Sequence, residues 1–187
     1  MSPPPIEHGQ PLIFMKVGVH AQETLEDIIE RKNKEFDNTG QIFWGYGGGT
    51  CHPLTQVQPF ARDQMKRGRA VQLWMHEIES HHDETTLATE FSADGITWNP
   101  IPEGITVKGS RYALVLNELE PGDLNLDLSS TTVAIGTSKG KPGNSYISGR
   151  VDKGCLEVSN QGQGNEDDIK RISLFADLQD PFAVLLR

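Results

Sequence analysis

Apolar and polar positions set out the first half of the chain. PLIFMKVGV, residues 11–19, is an apolar run of strand length. ETLEDIIERKNKEF follows. It places Leu25, Ile28, Ile29 and Phe36 on one helical face, with acidic residues in the first turn and Asn38 and Gly40 at the stop. QIFWGYG reads as a second strand. HPLTQVQPFARDQMKRG holds a second helix that ends near Gly68, where the cations of KRGR complement the helix dipole. In RAVQLWMHEI, Val71, Leu73 and Met75 alternate with Gln72, Trp74 and His76, which is the period of a strand. This strand–helix order predicts a βαβαβ-like half with a mainly parallel sheet and crossover helices.

The texture changes after ESHHDETT. FSADGITWNPIPEGITV carries Asp94-Gly95 between short alternating segments, a hairpin signal. Its SxDGxTW segment resembles a hairpin of β-rich proteins, and turn chemistry alone accounts for it. SRYALVLNEL, TTVAIGTS, SYISGRVDKGCLEV, ISLFADL and PFAVLLR are further strand candidates, and SNQGQGNEDD reads as an exposed loop. The expected architecture is a single α/β domain over 11–187, with α+β as the alternative. A parallel half (11–80) is extended by an antiparallel β-rich half (88–187), and a flexible arm (1–10) precedes both.

At 187 residues the chain is long enough for a self-sufficient core, and its 36% hydrophobic and 23% charged residues are those of a globular protein. A formal net charge of −9 repels a phosphate backbone at long range and argues against general nucleic-acid binding. It leaves room for a small anionic ligand in a local basic pocket. No apolar run approaches the ~20 residues needed to span a bilayer, and MSPPPIEHGQP lacks the pattern of a signal peptide. The expected compartment is therefore cytoplasmic, with Cys51 and Cys155 reduced; a single disulfide between them is the alternative.

The chemistry concentrates in FWGYGGGTCHP, residues 43–53. Glycines there permit positive φ and close approach of backbone to a ligand, and a loop entering a helix can aim free N–H groups at phosphate or carboxylate. Trp44 and Tyr46 offer aromatic walls, Gly47, Gly48 and Gly49 a cradle, and Thr50 a hydroxyl. The spacing is neither the Walker A nor the dinucleotide pattern. Pro59 complicates the picture. If it is the first helical residue, the helix starts there rather than at Pro53, and residues 47–58 become a long loop.

Cys51, His52 and His20 are the candidates for nucleophile and base. His20 ends the first strand, and a parallel sheet would bring it to the same edge as the glycines and His76. HEIESHHDE, residues 76–84, offers metal-ligand types in no zinc spacing, so no metal is assigned. Arg111, Arg150 and Lys153, with Lys108, sit beside glycines and are the candidate anion ligands; ion pairs with Asp152 or Glu118 are the structural alternative.

The function these residues favour is binding of a phosphate-bearing small molecule, a nucleotide first, around residues 45–52. Two alternatives are an interaction or inhibitor domain using its acidic surface, and a hydrolase or transferase using Cys51 or His20. No cofactor is assigned.

Overall fold

A computed structural model describes residues 6–80, 86–159 and 164–187. Its elements run β1 (Pro11–Val19), α1 (Leu25–Thr39), β2 (Ile42–Gly45), α2 (Leu54–Lys66), β3 (Gln72–Glu79), β4 (Glu90–Ser92), β5 (Asn99–Pro100), β6 (Tyr112–Leu116), β7 (Glu120–Asp127), β8 (Thr131–Val133), α3 (Gly143–Tyr146), β9 (Lys153–Val158) and β10 (Ile169–Leu186). The mixed α/β class matches the expectation. The parallel sheet does not. The strand order is β2-β6-β10-β3-β1-β9-β8, and among the described residues only β1 and β3 pair in parallel.

The cause of this difference is β10. ISLFADL and PFAVLLR read as two pieces split at Asp180-Pro181, yet they form one strand of 18 residues. Leu174, Phe175, Ala176, Leu178, Ala183 and Val184 are all buried. A strand apolar on both faces belongs inside a sheet. It stands beside β3, and β2 pairs antiparallel with β6 instead of joining β1. Between Leu178 and Ala183 the register shifts, the Asp180-Pro181 peptide is cis and Phe182 takes a φ of 73°. The first half of β10 pairs with β3 and β7, and the second half with β6 and β4. The sheet therefore turns through this one strand.

The alternation predicted for β3 is present, and β1 and β6 likewise send side chains to two covered faces. Ile13, Val17, Leu73, Met75 and Leu114 share a core with Trp44 of β2, Ile28 of α1 and Val57 and Phe60 of α2. Leu12, Phe14 and Trp74 face the other way and pack with Leu126, Val133, Leu156 and Phe175. A third cluster sets Phe43, Ala113, Val115 and Val184 against Ile105 and Val107.

The ends of α1 follow the sequence closely. Thr24 and Asp27 form a reciprocal capping box, and Gly40 closes the helix at φ 80° with its N–H on the Phe36 carbonyl. For α2, the start near Pro59 is corrected: the helix begins at Leu54 and carries Pro59 inside it. The Asp94-Gly95 turn closes the β4–β5 hairpin, with Gly95 at φ 78°. Among the described residues no helix is long and apolar enough to cross a membrane.

Candidate functional site

The glycine segment leaves β2 pressed against β6. Tyr46 N–H and Gly47 N–H both donate to the Tyr112 carbonyl, at 3.1 and 2.9 Å. A side chain on Gly47 would collide with the Tyr112 ring, and one on Gly45 would come within 2.5 Å of Ser110 Oγ. None of Gly45, Gly47, Gly48 and Gly49 uses the positive φ that glycine permits; at Gly45 and Gly47 what the fold requires is space. Gly48 and Gly49 face open space. The Tyr112 hydroxyl donates to the His52 carbonyl and pins the end of the loop, just before α2 starts.

The segment divides two cavities, and Gly48 lines both. On one side is a groove of about 930 Å³, bounded by β1, α1, the glycines and the 104–110 segment. On the other is a cavity of about 620 Å³ between the glycines, the start of α2 and the β4–β5 turn.

Trp44, Gly47, His20, Lys108 and Lys153 line the groove; Gly49, Cys51 and Arg111 line the smaller cavity. Trp44 is buried, with Nε1–H 3.3 Å from Met15 Sδ. Lys153 Nζ stands 5.6 Å above the Tyr46 ring and 3.8 Å from Asp152. His20 Nδ1 accepts the Gln22 N–H at 3.1 Å and lies 3.0 Å from Gln22 Oε1. His76 does not join them, since its Nδ1 lies 2.8 Å from the Arg171 carbonyl. Of the meeting expected for His20, the glycines and His76, the first two do line one groove, and only the place of His76 is corrected. Arg150 lines neither cavity, and its carbonyl accepts from Thr50 Oγ1 at 3.3 Å. Among the described residues neither Arg111 nor Arg150 forms an ion pair; Asp152 meets Lys153 instead. His81, His82, Asp83 and Glu84 of the HEIESHHDE segment lie outside the described residues.

His52 and Cys51 do not form a nucleophile–base pair. Cys51 Sγ accepts the Gly48 N–H at 3.0 Å and lies 3.9 Å from Tyr112 Oη. The His52 ring turns inward, where Nδ1 accepts the Cys155 N–H at 3.3 Å and Nε2 lies 3.2 Å from Tyr146 Oη. These contacts place the proton on Nε2. Burial holds the His52 pKa below the usual imidazole value. The ring stacks on Tyr146 at 5.5 Å and 8°. Tyr46 is buried beside this group with no hydrogen-bond partner for its hydroxyl among the described residues, and burial pushes its pKa up. Burial likewise raises the Cys155 thiol. Both cysteines are free.

Residues that the sequence reading did not place at the site shape both cavities. Lys32 and Glu35 lie buried on α1 beside the groove, with Nζ 2.8 Å from Oε2. Their i,i+3 spacing within a helix that must bury a face was the available signal. Asp94 lines the smaller cavity. Its Oδ1 accepts from Ile96 N, Thr97 N and Ser92 Oγ at 2.8, 2.8 and 3.0 Å. Backbone N–H donation, Thr97 first, holds its pKa below the ordinary carboxylate value. Among the described residues no three His, Cys, Asp or Glu side chains come together as a metal set.

No family model matches the chain, and neither a curated protein nor a solved structure matches it.

Proposed function

We propose that the chain binds a phosphate-bearing small molecule, a nucleotide first, in the groove beside the glycine segment. The supporting observation is an inversion of charge. The chain carries −9 overall, yet Arg31, Lys32, Lys34, Lys108 and Lys153 line this groove against two carboxylates, Glu23 and Glu35. Arg31 is committed to Glu23 at 3.0 Å and Lys32 to Glu35; Lys34 and Lys153 meet Glu30 and Asp152, at 3.6 and 3.8 Å, and Lys108 has no ion pair among the described residues. A cleft of one sign concentrates ligands of the other. Trp44 forms part of the apolar wall; the Gly47 and Gly48 N–H groups are committed to the Tyr112 carbonyl and Cys51 Sγ, so the lysines carry the recognition.

The test is titration with ATP, ADP, a sugar phosphate and inorganic phosphate, read by thermal unfolding and by tryptophan fluorescence. A ligand at one hundred times its dissociation constant stabilises the fold by about 2.7 kcal/mol. That gain should disappear in Lys108→Ala/Lys153→Ala. If no phosphate compound moves either signal, the reading is wrong.

A further inference from the structure

We propose that the cavity of about 620 Å³ on the opposite side of the glycine segment is a second site, for a small zwitterion with an apolar body, the chemistry of an apolar α-amino acid. It is independent of the groove and its ligand.

Two opposite charges line one chamber without meeting. The Arg111 guanidinium has no hydrogen bond or ion pair among the described residues, and Asp94 is not its partner. All three bonds to the Asp94 carboxylate fall on Oδ1, which leaves Oδ2 free as an acceptor. The N–H donors on Oδ1 favour the ionised carboxylate, in keeping with its lowered pKa. Arginine presents a planar fork that suits a carboxylate. Asp94 supplies the acceptor that an ammonium needs. Between them the wall is apolar, formed by Leu54, Pro59, Ala93 and Leu185 with the Tyr112 ring.

The start of α2 adds donors on the same side. Pro53 gives no side-chain cap, and the first helical hydrogen bonds run from Gln56 and Val57 to the Pro53 carbonyl. The N–H groups of Leu54 and Thr55 have no acceptor among the described residues. Asp94 and Arg111 both stand at the exposed mouth of the cavity, so a ligand with a single negative charge would engage Arg111 and these donors and leave Asp94 to water. A ligand with a single positive charge would do the reverse. A zwitterion answers both ends, and an apolar side chain fills the space between.

Cys51 lines this cavity and reports its occupancy, while the fully buried Cys155 serves as a silent internal thiol. The experiment measures alkylation of Cys51 by iodoacetamide in the folded full chain, by peptide mass spectrometry. Additions are phenylalanine, leucine, 3-phenylpropanoate and phenethylamine, run on wild type and on Arg111→Ala. The exposed Arg111 side chain makes no hydrogen bond or ion pair among the described residues, so this variant should keep its fold, which circular dichroism checks. An amino acid at ten times its dissociation constant should slow Cys51 alkylation about tenfold. The single-charge analogues should slow it much less, and Arg111→Ala should abolish the effect. Three results would overturn the proposal: no slowing by either amino acid, equal slowing by 3-phenylpropanoate or phenethylamine, or undiminished slowing in Arg111→Ala.

Discussion

Lys32 Nζ lies 2.8 Å from Glu35 Oε2, one turn along α1, with the two side chains only 7% and 5% exposed. The same ammonium donates to the carbonyls of Phe43 and Thr106, at 2.8 and 2.9 Å, while Glu35 Oε1 accepts the Thr106 N–H at 2.9 Å. The pair thus bridges the outer edge of β2 to the 104–107 segment, where a further strand would otherwise supply the hydrogen bonds. Burial lowers the Lys32 pKa, and Glu35 opposes that shift.

Removing one partner leaves the other charge buried and alone. Lys32→Met should therefore cost about 3–5 kcal/mol. Lys32→Met/Glu35→Leu should cost less than the single change, because no uncompensated charge remains, although Phe43 O and Thr106 N–H lose their partners. Chemical denaturation of the two variants checks this. A double variant less stable than the single one would contradict it.

The glycines of 45–49 should separate by role. Gly47→Ala drives a methyl group into the Tyr112 ring and should destabilise by about 1–3 kcal/mol. Gly48→Ala and Gly49→Ala meet open space at ordinary φ and should stay within about 0.5 kcal/mol of wild type. Urea midpoints of the three variants settle the matter, and equal losses at all three would refute the division.

Local features were legible in the sequence wherever they depended on near neighbours. The Thr24–Asp27 box and the Gly40 stop of α1 are encoded within a few residues, as are the Asp94-Gly95 turn and the alternation of β3. Strand order was not, because pairing partners lie far apart in the chain. PFAVLLR carries no mark saying that it continues ISLFADL across Asp180-Pro181 and separates β3 from β6. β7 escaped notice because EPGDLNLD is polar, alternates half-buried with exposed positions along most of its length and owes its strand form to β10. At the site, the glycine window did mark the wall between two cavities. The sequence could not show that the His52 ring turns inward, which rests on contacts with Cys155 and Tyr146 more than 90 residues away.

His52 should make stability depend on pH. Its folded pKa lies below the unfolded value of about 6.5. Between those two values the unfolded chain binds more protons, so stability falls as pH drops through that window and is flat in this respect above it. The limiting slope is about 1.4 kcal/mol per pH unit. Tyr146 and the Cys155 N–H face the ring, and neither is an acid that could offset its charge near neutral pH. His52→Gln, though less stable, should lose this part of the dependence. Denaturation midpoints of both proteins from pH 7 to pH 5 provide the measurement; parallel curves would show that His52 contributes nothing.

The basic residues singled out near glycines should divide by position. Lys108 and Lys153 line the groove, whereas Arg150 lines neither cavity. A charge-assisted hydrogen bond to phosphate contributes about 1.5–3 kcal/mol. Lys108→Ala or Lys153→Ala should therefore weaken a phosphate-bearing ligand about tenfold or more. Arg150→Ala should leave its affinity unchanged. Added salt should weaken wild-type binding, and weaken it less in either lysine variant, because fewer charges remain to be screened. Isothermal titrations at two salt concentrations distinguish local recognition from the general field of the protein. If Arg150→Ala weakens the ligand as much as Lys108→Ala, the groove has no privileged role and only the overall charge matters.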